Sequence, residues 1–158
     1  MKKEVVIGVI VVVVVLGVLW YLISPVFIDN GVSEPTPVTS PSSVDLGIVG
    51  ETKDVYSGSF VGADSFHKVS GQARVIEDSG VRYLRLENFE SINGPDLKVY
   101  LSEDLNAESY LSLGDLKGNI GSQNYEISSD VDIEKYDKVL IWCEQFSVLF
   151  GSADLEKA

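Results

Sequence analysis

From Val5 to Ile23 the chain carries no charge: VVIGVIVVVVVLGVLWYLI, 19 residues dominated by valine. As a helix at about 1.5 Å per residue this run reaches about 28 Å, close to the roughly 30 Å of a bilayer core. Valine is a mediocre helix former in water. Lipid removes the alternative, because every backbone N–H and C=O must find its partner within the segment. Lys2 and Lys3 precede the run, so the positive-inside rule keeps the N-terminus cytoplasmic; Trp20 and Tyr21 fall where an outer aromatic belt would lie. A cleaved signal peptide has a shorter apolar region, about 7–15 residues, ending in a small-x-small site. Trp20-Tyr21-Leu22 provides no such site. The expectation over residues 1–28 is therefore an uncleaved single-pass transmembrane helix, in contact with the lipid bilayer from Val5 to Ile23. It places all that follows on the extracytoplasmic side of a cell membrane.

Residues 29–54 contain EPTPVTSPSS, with Pro35, Pro37 and Pro41 among Ser and Thr. So little apolar surface cannot offset the entropy of ordering, and the stretch reads as a semi-extended tether holding a domain off the membrane. That domain is residues 55–158, with 9 basic and 18 acidic residues. The whole chain of 158 residues has a net charge of −12, which repels phosphate backbones and removes nucleic acid from the expected partners. Short β-like runs are expected near 56–61, 68–76, 81–86, 97–101, 110–113, 123–127, 138–143 and 146–150. Leu97, Val99 and Leu101 alternate with Lys98, Tyr100 and Ser102, the pattern of a half-buried strand. Lys138-Val139-Leu140-Ile141-Trp142-Cys143 is apolar on both parities, as a central strand covered on both sides would be. About eight short strands, with no helical period outside the anchor, point to an all-β fold, an antiparallel β-sandwich or barrel behind a single transmembrane helix.

Counting removes several chemistries. With one Cys (Cys143), one His (His67) and only the initiator Met1, a blue-copper set, a Cys-x-x-Cys motif, a c-type haem site and an intrachain disulfide are all excluded. Gly114, Gly118 and Gly121 precede no Gly-Lys-Ser/Thr and read as loop glycines. Asp130, Asp132 and Glu134 hint at calcium, but Lys135 stands where an EF-hand loop needs Gly and Ile141 where it needs Glu, so a solvated acidic loop is the expectation. Trp142, Tyr100, Tyr125 and Phe146 are expected in the core. Asp96, in the turn Asn93-Gly94-Pro95-Asp96, is expected to bond local backbone N–H groups or to stand beside a site. An exported lone thiol stands out. Cys143 shares parity with Val139 and Ile141 and so fits the core as a small hydrophobe. The alternative is a redox-active thiolate or metal ligand, with His67 to lower its pKa or co-ligate. No cofactor is specified by these residues, and a Cys–His or Ser–His hydrolase lacks both a nucleophile elbow and an oxyanion loop.

The motifs together carry a resemblance. His67-x-x-Ser70-Gly71, Leu84-x-Leu86-x-Asn88-Phe89, Gly94-Pro95-Asp96-Leu97-x-Val99-Tyr100-Leu101, Leu116-Lys117-Gly118-Asn119-x-Gly121-x-Gln123-x-Tyr125 and Val139-x-Ile141-Trp142-Cys143-x-x-Phe146-x-Val148-x-Phe150-Gly151 follow in this order. The domain resembles the DM-thirteen domain, the Skeletor-type "electron transfer" domain, over nearly all of residues 55–155. The resemblance implies an all-β domain with a redox role centred on the family's cysteine, here Cys143, with His67 and Asp96 lining its site. It also implies a redox partner protein, since this chain has no haem-ligating helix bundle of its own. The competing expectation is a non-catalytic cell-surface β domain that binds a protein, glycan or cation through its loops and acidic face.

Overall fold

Leu97, Val99 and Leu101 are buried, and so are Val139, Ile141 and Cys143 opposite them. The alternate residues of two neighbouring strands thus point into one core, as period-2 patterning requires. The computed structural model describes residues 2–23, 29–37 and 53–158. Among them are one helix, α1 (Lys3–Ile23), and eleven strands: β1 (Gly31–Ser33), β2 (Lys53–Ser59), β3 (Val61–Gly62), β4 (Val69–Asp78), β5 (Val81–Ser91), β6 (Leu97–Ser102), β7 (Tyr110–Asp115), β8 (Ile120–Ile127), β9 (Lys138–Cys143), β10 (Val148–Asp154) and β11 (Glu156–Lys157). They form a six-stranded sheet, β1-β8-β5-β4-β2-β11, and a five-stranded sheet, β3-β10-β9-β6-β7. Ala73, Val75, Leu84, Leu86 and Tyr125 of the first pack against Val99, Leu101, Val139 and Ile141 of the second. The architecture is an all-β sandwich and not a closed barrel.

β9 lies between β10 and β6, the central place that its two-sided apolar pattern predicts. Leu140 and Tyr100 face each other across the same two strands and are buried on the other parity, where Tyr100 stacks on Tyr110 at 4.2 Å. Three register shifts bend the six-stranded sheet, one of them in β2 between Asp54 and Tyr56. The β4 register shifts at Gly71 (φ 115°) and the β5 register shifts around Asn88 (φ 48°); a Cβ on Gly71 would lie 2.8 Å from the Asn88 carbonyl oxygen.

Several expectations need correction. The expected strand at 56–61 is two strands, β2 and β3, one in each sheet. The last expected strand starts at Val148, because residues 144–147 turn, with the Ser147 N–H donating to Glu144 O and Ser147 at φ 51°. Phe146 therefore leaves the core and is 64% exposed. Trp142 is half-buried, whereas Tyr100 and Tyr125 are buried as expected. The sandwich is not wholly antiparallel, since β1 runs parallel to β8. Helix α1 forms over the apolar run, and its described side chains, Lys3 and the uncharged 5–21, are exposed. Residues 5–21 cover about 25 Å of helix, and no helix among the described residues is long and apolar enough to cross a membrane.

The tether differs most. Its residues 38–52 lie outside the described residues, but 29–35 are docked on β8 and the loop before it. Ordering a residue costs about 1–2 kcal/mol of backbone entropy, and a net hydrogen bond returns about 0.5–1.5 kcal/mol, so the ladder of a three-residue strand does not hold itself. Side chains supply the rest. Asp29 Oδ1 accepts from Asn119 Nδ2 at 2.8 Å, and Asn119 Oδ1 accepts from the Asn30 N–H at 2.6 Å. The Glu34 carboxylate accepts from Lys117 Nζ at 2.8 Å and from the Asn124 N–H at 2.7 Å. Burial raises the Glu34 carboxyl, but these hydrogen bonds and the charges of Lys117 and Arg85 outweigh it and leave the pKa below its ordinary 4.5.

Two outcomes follow for β1. A Cβ on Gly121 (φ 109°) would sit 1.9 Å from Val32 O. Gly121→Ala should therefore cost about 1–3 kcal/mol and abolish amide-exchange protection at 31–34 while sparing the β4–β5 ladder; undiminished protection at 31–34 would refute the docking. The Glu34 carboxyl is depressed in the folded state, so its contribution is complete above pH 4.5 and lost as pH falls through the lower folded value. Exchange protection at 31–34, corrected for intrinsic rates, should fall below pH 4.5, and Glu34→Gln should flatten that dependence.

Candidate functional site at the loop end

The strand directions gather one set of loops at one end of the sandwich. β5 ends there and β6 begins there, joined by residues 92–96; β9 ends and β10 begins there, joined by 144–147. The β3–β4 loop (63–68), the β7–β8 loop (116–119) and the docked Asp29 and Asn30 share this end. His67, Asp96 and Cys143 all lie at it.

Cys143 closes β9, paired with Leu97 on one side and Val148 on the other. It is 0% exposed, and its Sγ–H donates to the Pro95 carbonyl at 3.0 Å. The turn that carries this carbonyl is tightly specified. Pro95 fixes its own φ. Asp96 takes a left-handed conformation (φ 55°), which Asp tolerates better than most residues. Gly94 is required by contact, since a Cβ there would lie 2.5 Å from the Phe150 ring. The Asp96 carbonyl accepts from the Glu144 N–H at 3.1 Å, tying this turn to the next.

The Asp96 carboxylate, exposed, bonds Lys98 Nζ at 2.7 Å in place of the local backbone N–H groups expected for it. Lys98 also reaches Asp115 at 2.5 Å and Glu144 at 3.5 Å. The hydrogen bonds to Asp115 and Asp96 raise its pKa above the ordinary 10.5.

His67 is held by its own loop. Its Nδ1 lies 2.8 Å from Asp64 Oδ2, while Asp64 Oδ1 accepts from the N–H groups of Phe66 and His67, both at 2.7 Å. The His67 side-chain bond first, and these two backbone bonds next, pull the Asp64 carboxyl down to about 2. The imidazole packs on the Phe150 ring, centroids 4.5 Å apart. Asp96 and Cys143 are thus joined through main chain, whereas His67 reaches them through Phe150 and the Gly94-Pro95 turn.

Metal-ligand geometry is not built here. The thiol's partner is Pro95 and the imidazole's partners are Asp64 and Phe150. Among the described residues no group of three or more His, Cys, Asp or Glu side chains stands placed to hold a metal ion. In the acidic loop, Asp130 accepts from Ser128 Oγ, Asp132 accepts from the Glu134 N–H at 3.0 Å, and Glu134 pairs with Lys157. Beside the site, an open cleft of about 610 Å³ lies between the docked Asp29 and the loops bearing Asp64, Lys68, Ile92 and Asn119. Sequence reading missed the Pro95 carbonyl and the docked segment; the compact Gly-Pro-Asp turn ahead of a buried strand was the signal for the first.

The family model described as Electron transfer DM13 matches residues 59–155, the sandwich from the end of β2 to the end of β10. No curated protein and no solved structure matches the chain.

The burial of Cys143 has a kinetic signature. The folded chain should react with a chromogenic disulfide at least about 100-fold more slowly than the denatured chain, because attack requires the thiolate to be reached. Gly94→Ala forces Phe150 or the turn to move and should accelerate the folded-state reaction. Equal folded and denatured rates would contradict the sealed thiol.

Proposed function

We propose, from the fact that the chain belongs to the Electron transfer DM13 family, that it is a membrane-anchored extracytoplasmic electron-transfer module centred on its single cysteine. The observation that carries the reading is that the family match spans the sandwich whose loop end holds the one thiol. Cys143 is the redox group, Asp96 belongs to the turn that covers it, and His67 packs on Phe150 beside that turn. Thiol–disulfide exchange needs an attacking or attacked sulfur within reach, so the sealed thiol passes one electron to an oxidised partner protein seated on the loop end, becoming a thiyl radical as its proton leaves to solvent; once the 93–96 turn opens, its thiolate attacks a partner disulfide and displaces the partner's other sulfur as thiolate. Anchoring rests on sequence: Leu22 and Ile23 extend the uncharged run to 19 residues, about 28 Å as a helix. Lys2 and Lys3 before it set the N-terminus inside and the sandwich outside.

One observation favours a second reading, a non-catalytic binding module for a protein, glycan or cation. Cys143 is fully buried among Val139, Ile141 and Leu97, and a buried free cysteine serves as a small hydrophobe.

Voltammetry of the full chain in detergent separates the two. A reversible wave in the wild type that vanishes in both Cys143→Ser and Cys143→Ala, with each variant folded by circular dichroism, supports electron transfer at the thiol. A wave unchanged by both substitutions overturns the single-cysteine centre. Absence of any wave in the wild type gives the binding module the lead.

A further inference from the structure

We propose that the docked segment Asp29–Ser33 holds the loop end of the sandwich down on the lipid surface, with Phe66 and Phe146 entering the bilayer interface. The inference rests on the anchor reading above and deepens it.

Reach is the first argument. A tether of residues 29–54 would leave the domain free to turn either end toward the membrane. With Asp29 bonded to Asn119 and Gly31–Ser33 laddered on β8, only residues 24–28 separate the end of α1 from the sandwich. Six Cα steps at up to about 3.6 Å limit that link to about 20 Å. Direction is the second argument. β1 is parallel to β8, and Gly31 faces Ile120 at the start of β8. The link therefore enters at the loop end, and the opposite end, with the β4–β5 turn at Ser79-Gly80 and the β8–β9 loop, is a strand length away. The eleven-residue β5 makes that length about 35 Å.

The surface at the loop end suits the occupant. Phe66 is 81% exposed at the tip of the β3–β4 loop and Phe146 64% exposed at the tip of the β9–β10 turn. Ile92 and Ile120 are exposed at the same end. Aromatic side chains of this kind favour the membrane interface. The sandwich carries a net charge of −9 over residues 55–158, and at this end six carboxylates, Asp64 and Glu144 beside the two phenylalanines among them, outnumber Lys68, Lys98 and Lys117. Adhesion to anionic headgroups is thereby disfavoured, and the fitting surface is a neutral, zwitterionic one. In this orientation the turn over Cys143 looks toward the membrane, where a lipid-embedded redox partner would meet it.

The test uses the full chain in phosphatidylcholine liposomes. Single cysteines introduced by Ser65→Cys at the loop end and Ser129→Cys at the far end are labelled with a donor fluorophore, and the wild type labelled in parallel sets the Cys143 background. Transfer to a headgroup-labelled acceptor lipid should be at least about threefold stronger from 65 than from 129, given a separation near one strand length. Adding Gly121→Ala, which frees β1 from β8, should make the two positions alike. Phe66→Ser with Phe146→Ser, both exposed and neutral to folding, should weaken transfer from 65. Equal transfer from 65 and 129 in the otherwise unchanged chain, while it floats with the liposomes, overturns the orientation and leaves the anchor standing. Failure of the chain to float with liposomes overturns the anchor and the orientation with it. Transfer from 65 unchanged by the double phenylalanine substitution overturns the interfacial role of the aromatic tips.

Discussion

The register between β6 and β9 is the constraint on which the rest of the molecule depends. Leu97 faces Cys143, Val99 faces Ile141 and Leu101 faces Val139, so one parity of two adjacent strands builds the middle of the core. A slip of β9 by one residue would turn Trp142 inward and expose the thiol, and a slip of β6 would turn Lys98 inward, because strand side chains alternate faces with a period of two. The same register sets the loop end. Once Leu97 lies beside Cys143, the residues before Leu97 must pass over the thiol, and the Pro95 carbonyl arrives where Sγ–H can reach it. The Gly94 contact with Phe150 then fixes the height of that turn.

Charge organises the same end more loosely. Lys98 joins Asp96, Asp115 and Glu144, which belong to three different chain segments. Each exposed pair alone contributes little. A shared ammonium is different in kind, because moving one loop disturbs its bonds to the others. The pairing of Asp64 with His67 acts within a single loop and holds the imidazole against Phe150. Lys98 and His67 thus tie down four carboxylates at this end, and the net charge there stays negative.

Much of the fold was legible in the residues. The Leu97-Val99-Leu101 alternation and the two-sided apolar run from Lys138 to Cys143 announced β6 and β9, and Cys143 shared their buried parity. The DM-thirteen motifs marked the domain, with the family match over 59–155. Phe146 was misplaced because hydrophobicity alone does not reveal a left-handed residue such as Ser147, which keeps 144–147 in a turn and delays the start of β10 to Val148. The β1 strand was invisible for a different reason. Three residues have no period, and Asp29, Asn30 and Gly31 are loop formers by composition; only partners some 90 positions away hold Gly31–Ser33 as a strand. The convergence of Cys143 with Pro95 was hidden likewise, since a backbone carbonyl leaves no mark in the sequence.

The span between Asp29 and Asn119 also orders events in time. Their bond joins positions 90 apart, and Glu34 waits for Asn124 at the same separation. As the chain emerges from the ribosome, α1 and the β1 segment are complete long before β8 exists. Closing so long a loop costs entropy that the few contacts of β1 recover only once β5 and β8 have already paired. The first strand of the sequence is thus a late arrival in folding: it seals the open edge of a finished sheet, and until it does so that edge is the part of the nascent domain most exposed to pairing with another chain.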